Sequence, residues 1–73
     1  MRLENHTIQS TSVDEGKQCR FQCYLEKSCL SYNLGMENGH KLLCELSDSD
    51  HYQHPEDLVP RKDYSYHATA VSL

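Results

Sequence analysis

CRFQCYLEKSCLSYNL, residues 19–34, places three cysteines within eleven residues and then runs into a polar and aromatic segment with the look of a strand. A fourth cysteine stands at position 44, giving C-x3-C-x5-C-x14-C with none left over. Four cysteines can hold a metal, carry out redox chemistry or tie the chain together. Which of these applies depends on the elements that carry them.

Upstream, STSVDEGKQCRFQCYLEK (10–27) carries the strongest helix signal. Ser12 reads as an N-cap with Glu15 three residues on, a capping box. Asp14 and Glu15 suit the positive end of the helix dipole and Lys27 the other end, while Gly16 weakens the intrinsic propensity. In such a helix Cys19 and Cys23, at i and i+4, share one face, and residues 13, 16, 19/20 and 23 trace the inward stripe. Downstream, CLSYNLG (29–35) and HKLLCEL (40–46) read as two strands around MENG (36–39). Asn38-Gly39 favours a tight type I′ turn, and the span Gly35–Gly39 also admits a longer loop. Alternation puts Leu42, Cys44 and Leu46 on one face, with Lys41, Leu43 and Glu45 on the other.

On these elements Cys19 and Cys23 are poorly placed to bond each other, because a disulfide brings its Cβ atoms to about 3.8 Å. Four cysteines allow three connectivities. The geometry favours Cys19–Cys44 with Cys23–Cys29, a nested pair pinning the helix across the hairpin. A closed loop of about 26 residues contributes roughly 3.5 kcal/mol and one of about 7 residues roughly 2.4 kcal/mol, comparable with the net stability of a small domain. Zinc is the competing reading, with five histidines available. Zinc modules, however, usually present C-x2-C or H-x3–5-H pairs, whereas here the cysteine spacings differ and the closest histidines are His51 and His54. The spacing also fails to match a thioredoxin-type C-x2-C. The cysteines are read as structural, with no metal and no cofactor.

Composition agrees. The chain has 73 residues, 37% of them hydrophobic, with no Trp and a single Phe, Phe21. So thin a core needs disulfides, a metal or a partner. Net charge is −4, and the seven basic residues are scattered. That argues against nucleic acid, an anionic membrane surface or heparin as the main partner. No apolar run approaches the roughly 20 residues of a membrane-spanning helix. MRLENHTIQS lacks the apolar core of a signal peptide, so a secretory reading treats residues 1–73 as a single domain excised from a larger modular protein, with Met1 of uncertain origin. Asn5-His6-Thr7 is a glycosylation sequon. RLENHTI (2–8) reads as a short strand anchored by Leu3 and Ile8. SDSDHYQHPEDLVPRKD (47–63) reads as a surface loop with a helical turn at His54–Leu58, and YSYHATA (64–70) as a closing strand.

The helix with C-x3-C, the following CLSYN, and the later CEL together resemble the PAN/apple family. The resemblance covers roughly residues 3–68. It implies an α+β fold, one helix on a small antiparallel sheet, with the first cysteine bonded to the fourth and the second to the third, in agreement with the pairing above. Apple domains proper add a third bridge between their termini; this chain lacks those two cysteines and resembles the plainer PAN form. CYLEKSCLSYNLG, CELSDSD and YSYHA look most like PAN modules of cnidarian and other marine-invertebrate extracellular proteins.

The resemblance implies non-catalytic binding of a protein or glycan outside the cell, by a secreted protein or the ectodomain of a membrane protein. The basic cluster of heparin-binding relatives is missing from the sequence. Tyr52, Tyr64 and Tyr66, with Tyr32, are the candidate ligand-binding aromatics, although Tyr32, Tyr64 and Tyr66 fall in expected strands where packing is the simpler role. Glu45, Asp48 and Asp50 lack the pattern of a calcium loop and read as a solvated acidic loop, and His51 and His54 read as surface polar residues. No G-x-S-x-G, P-loop or H-E-x-x-H occurs, which argues against an enzyme. A free-standing secreted inhibitor or ligand is the alternative function, and a zinc-binding structural domain the more remote one.

Overall fold

A stretch rich in β-branched residues, TIQSTSV, precedes the helix and sets where the helix can begin. In the computed structural model, which describes residues 1–69, these residues form a strand, Thr7–Val13 (β2), and the helix α1 runs only from Gly16 to Leu25. The expected cap at Ser12 is therefore corrected: Ser12 lies in β2, opposite Leu43, and its hydroxyl donates to Glu37 at 2.7 Å. The capping box moves to Glu15 and Gln18. Gln18 Oε1 accepts from the backbone N–H groups of Asp14 at 2.7 Å and Glu15 at 3.0 Å, satisfying donors a helix start otherwise leaves free. Gly16 opens the helix close to Leu34, where a Cβ would come within 3.0 Å of Leu34 Cδ1.

The expected strand over residues 2–8 is divided at Asn5, whose φ of 74° turns the chain. Arg2–Leu3 forms β1, and β2 begins at Thr7. Ile8, expected as an anchor, lies at an irregularity in β2 and is exposed. Strands β3 (Ser31–Met36) and β4 (Leu42–Ser47) form the hairpin, joined by a five-residue loop rather than a two-residue turn. No glycine among the described residues has positive φ, so Asn38-Gly39 does not form a type I′ turn. Asn38 Oδ1 instead accepts from the N–H groups of His40 and Lys41.

Residues 47–63 hold a 3-10 turn at Pro55–Asp57, within the span expected to be helical, and a further short strand, β5 (Leu58–Val59), read from sequence as loop. Tyr64–Ala68 is β6; Ala70 of the expected closing strand lies outside the described residues. The main sheet is antiparallel with order β2-β4-β3-β6, and β1 pairs with β5 in a separate two-stranded ribbon.

Period-two alternation gives the sheet two different faces. On one lie Tyr32, Cys44 and Leu46, with Leu34 and Leu42 at their margin, and α1 packs there chiefly on β4 and β3 through Cys19 and Cys23. Cys19 is bonded to Cys44 and Cys23 to Cys29, with Cα atoms 5.4 and 5.3 Å apart. The opposite face, expected to be solvated at Glu45, is buried instead. Leu3 of β1 and the segment Asp48–Asp50 cover it, so Ser31, Asn33, Glu45 and Ser47 are all enclosed. The fold is α+β, one helix on an antiparallel sheet, with a polar second layer beneath.

Candidate functional site

That polar layer accounts for two of the tyrosines singled out in the sequence. Asn33, fully buried, acts as a strand partner for β1: Leu3 N–H donates to Asn33 Oδ1 at 3.0 Å, and Asn33 Nδ2 donates to Leu3 O at 2.9 Å. Asn33 Nδ2 also reaches Glu45 at 3.2 Å. Arg2 meets the Glu45 carboxylate with a two-pronged contact, Nε–Oε1 at 2.9 Å and Nη2–Oε2 at 2.7 Å. These bonds raise the guanidinium's already high pKa, more than offsetting the opposing effect of its burial. Charge-assisted and bidentate, the pair compensates for enclosing a carboxylate. Arg2 lies over the Tyr64 ring, 4.9 Å from its centre. Tyr64 in turn rests on Gly35, where a Cβ would come within 2.5 Å of the ring. Tyr66 accepts a hydrogen bond from His51 N–H at 2.8 Å, and its burial raises the phenol pKa. Tyr64 and Tyr66 are half-buried packing residues.

The histidines and acids of the connecting segment are similarly occupied. His6 Nε2 lies 2.7 Å from Asp57 Oδ2, and its ring stacks on His54 at 4.2 Å. His54 Nδ1 lies 2.6 Å from Ser49 Oγ. Serine, histidine and aspartate thus adjoin, but the acid is bonded to a different histidine from the one at the serine. Ser49 is also only 2% exposed, so the cluster cannot present a nucleophile to a substrate. Asp50 accepts from the N–H groups of Tyr52 and Gln53, closing a turn. Among the described residues no group of three or more His, Cys, Asp or Glu side chains could hold a metal ion. Tyr52 is exposed at the tip of this turn, its ring against His51 at 4.0 Å. Asn5 is exposed as well, and its Nδ2 donates to Asp57 Oδ1 at 3.1 Å.

A different surface gathers the larger exposed groups. With Cys19 and Cys23 facing the sheet, helical geometry turns Phe21, Tyr24 and Leu25 outward. They are 60%, 83% and 64% exposed. The only phenylalanine of the chain is therefore on the surface. Beyond the helix, β6 presents His67, stacked on Tyr32 at 4.9 Å, beside Ala68. Between α1 and this end of the sheet lies a groove of about 1080 Å³. Phe21 and Tyr24 form its outer wall, the Cys23–Cys29 bridge and Tyr32 its floor, and Ala68 and Thr69 its far side. Lys17, Arg20 and Lys27 stand along it, so three of the seven basic residues converge there although none adjoin in sequence. Burial raises the Tyr32 phenol above its ordinary pKa, and the Arg20 charge partly opposes this. Sequence reasoning treated residues 19–25 as a carrier for cysteines and passed over this face; its signal was the i, i+3, i+4 spacing of Phe21, Tyr24 and Leu25 on the side away from the cysteines.

No curated protein and no solved structure matches the chain. The family model described as PAN domain matches residues 1–70. With one helix on an antiparallel sheet and two disulfides tying them together, the chain belongs to the PAN domain family.

Proposed function

We propose that the chain is a non-catalytic recognition module working outside the cell, and that its binding face is the outer side of α1 with the adjoining groove. PAN domains are protein- or carbohydrate-binding modules and are generally non-catalytic. The observation that carries the choice of face is the cluster Phe21, Tyr24 and Leu25, exposed on a helix that two disulfides hold in place. A contiguous apolar patch of this kind on a small domain marks an interaction site. A pre-positioned aromatic pair also loses little freedom on binding. Two disulfides in a chain this small support the extracellular setting, and no helix among the described residues is long and apolar enough to cross a membrane. The setting we favour is one module of a larger modular protein, where weak single contacts gain strength by multiplicity. Tyr52 supplies a secondary contact, and Asn5 is the glycan acceptor.

The test is to immobilise the chain and a Phe21→Ala/Tyr24→Ala variant and pass both over panels of extracellular proteins and glycans. Both positions are exposed, so the variant keeps the fold. Binding that falls at least about tenfold in the variant supports the reading; binding of equal strength by both removes α1 as the site.

A further inference from the structure

Three cations stand along the groove, on a chain whose net charge is −4. Lys17 is paired with Glu15 at 3.2 Å. Arg20 and Lys27 have no carboxylate partner among the described residues. The one carboxylate on the lining, Glu26, is engaged through Oε1 with the N–H of Ser28 at the helix end. The Tyr32 hydroxyl, on the floor, makes no hydrogen bond with the described residues. Arg20 and Lys27, without a carboxylate partner among the described residues, therefore stand with Phe21 and Tyr24 on the helix side of the groove, above a floor made by the Cys23–Cys29 bridge and Tyr32.

We infer that this groove receives an acidic segment of a partner protein, its carboxylates meeting Arg20 and Lys27 while an aliphatic side chain rests against Phe21 and Tyr24. The inference rests on the recognition reading above and narrows it to one class of partner. Aromatic rings beside an arginine are the make-up of a protein interface. A polyanionic glycan calls instead for cations without interruption and has little use for the apolar wall. Attraction between opposite charges sets the register of the segment and speeds its arrival, so the contact weakens with salt.

The experiment follows the amide resonances of isotopically labelled protein during titration with the peptide Ac-Glu-Leu-Asp-Leu-Glu-NH2. Its counterpart Ac-Lys-Leu-Lys-Leu-Lys-NH2 and a sulfated disaccharide are run in parallel. The acidic peptide is expected to shift residues of α1, Cys29, Tyr32 and Thr69, less so as salt is raised. The expected loss of affinity in Arg20→Glu/Lys27→Glu is at least about tenfold. Absence of shifts along the groove, or equal shifts from the basic peptide, overturns the inference. A stronger response to the disaccharide than to the acidic peptide overturns it as well, with the recognition reading intact. If the peptide leaves the groove untouched while Phe21→Ala/Tyr24→Ala still abolishes binding in the panels, the acidic segment is the wrong partner and α1 remains the site. If neither experiment responds to α1, both readings fall.

Discussion

Asn33 does the work of a strand edge with one side chain. Its amide closes both hydrogen bonds of Leu3 and supports Glu45, all out of reach of water. Replacing it with alanine leaves the Leu3 N–H and C=O buried without partners, so Asn33→Ala is expected to cost about 3 kcal/mol in chemical denaturation. Gly35 is fixed by contact rather than by dihedral angle. Gly35→Ala drives a methyl group into the Tyr64 ring and is expected to cost about 1–3 kcal/mol. That cost should shrink when Tyr64 is also replaced by alanine, a coupling that a double-mutant cycle measures. Asp57 carries the acid sensitivity of the β1–β2 turn. Its hydrogen bond with His6, helped by Asn5, holds its carboxyl below the ordinary value of 3.8. A carboxyl depressed on folding stabilises the fold above its unfolded pKa, and this contribution is lost as pH falls through the folded value. Melting temperature is therefore expected to drop more steeply below pH 3.8 for the native chain than for Asp57→Asn. Parallel acid limbs in the two proteins contradict the assignment.

At the scale of elements, the two bridges do different jobs. Cys19–Cys44 joins helix to sheet across 25 positions of sequence, and Cys23–Cys29 closes only the helix exit over 6. Chain entropy then predicts a loss of roughly 3.5 kcal/mol for Cys19→Ser/Cys44→Ser and roughly 2.4 kcal/mol for Cys23→Ser/Cys29→Ser. Thermal unfolding of the two double variants checks the order. The hairpin, the helix around Cys19 and Cys23 and the turn at Pro55 were legible because each carries a local signal: alternation, i/i+4 spacing and proline at a helix start. The start of α1 was misread because Ser12 to Glu15 matches a capping box in isolation, while pairing of β2 with β4 decides the outcome. The same long-range dependence hid the break at Asn5 within the expected strand 2–8 and the two-residue strand β5, which no period can reveal. Glu45 was read as solvated because alternation tells which face a residue is on and leaves open whether something covers that face. Of the candidate site, Tyr32 was named but assigned to packing. Phe21 and Tyr24 carry a spacing signal in the sequence, but spacing alone leaves open whether that face is covered, and only the packing of α1 on the sheet shows that both are exposed.

For the molecule as a whole, a ten-residue helix is too short to roof a four-stranded sheet. It is anchored over β4 and β3, and the groove is the part of the sheet it leaves open toward β6. The sheet's other face is closed by β1 and a polar layer, so the open side is the α1 side. The scattered basic residues of the sequence meet there because folding brings Lys17 and Arg20 on the helix together with Lys27 just past its end. A protein of net negative charge thus has a locally positive recess rimmed by aromatic rings. Every feature of that recess depends on how the cysteines are paired, since Cys23–Cys29 is part of its floor and Cys19–Cys44 fixes the helix that walls it.

The connectivity is therefore the measurement to make first, and the sequence makes it direct. Cleavage after Lys17, Arg20, Lys27 and Lys41 puts each cysteine on its own peptide. Digestion of the non-reduced protein under conditions that block thiol exchange is expected to release residues 18–20 joined to residues 42–61, and residues 21–27 joined to residues 28–41. Residues 18–20 joined to 28–41, or 18–20 joined to 21–27, would contradict the placement of α1 and with it the groove. Four free thiols in a chain that folds only with zinc would contradict the account at its root.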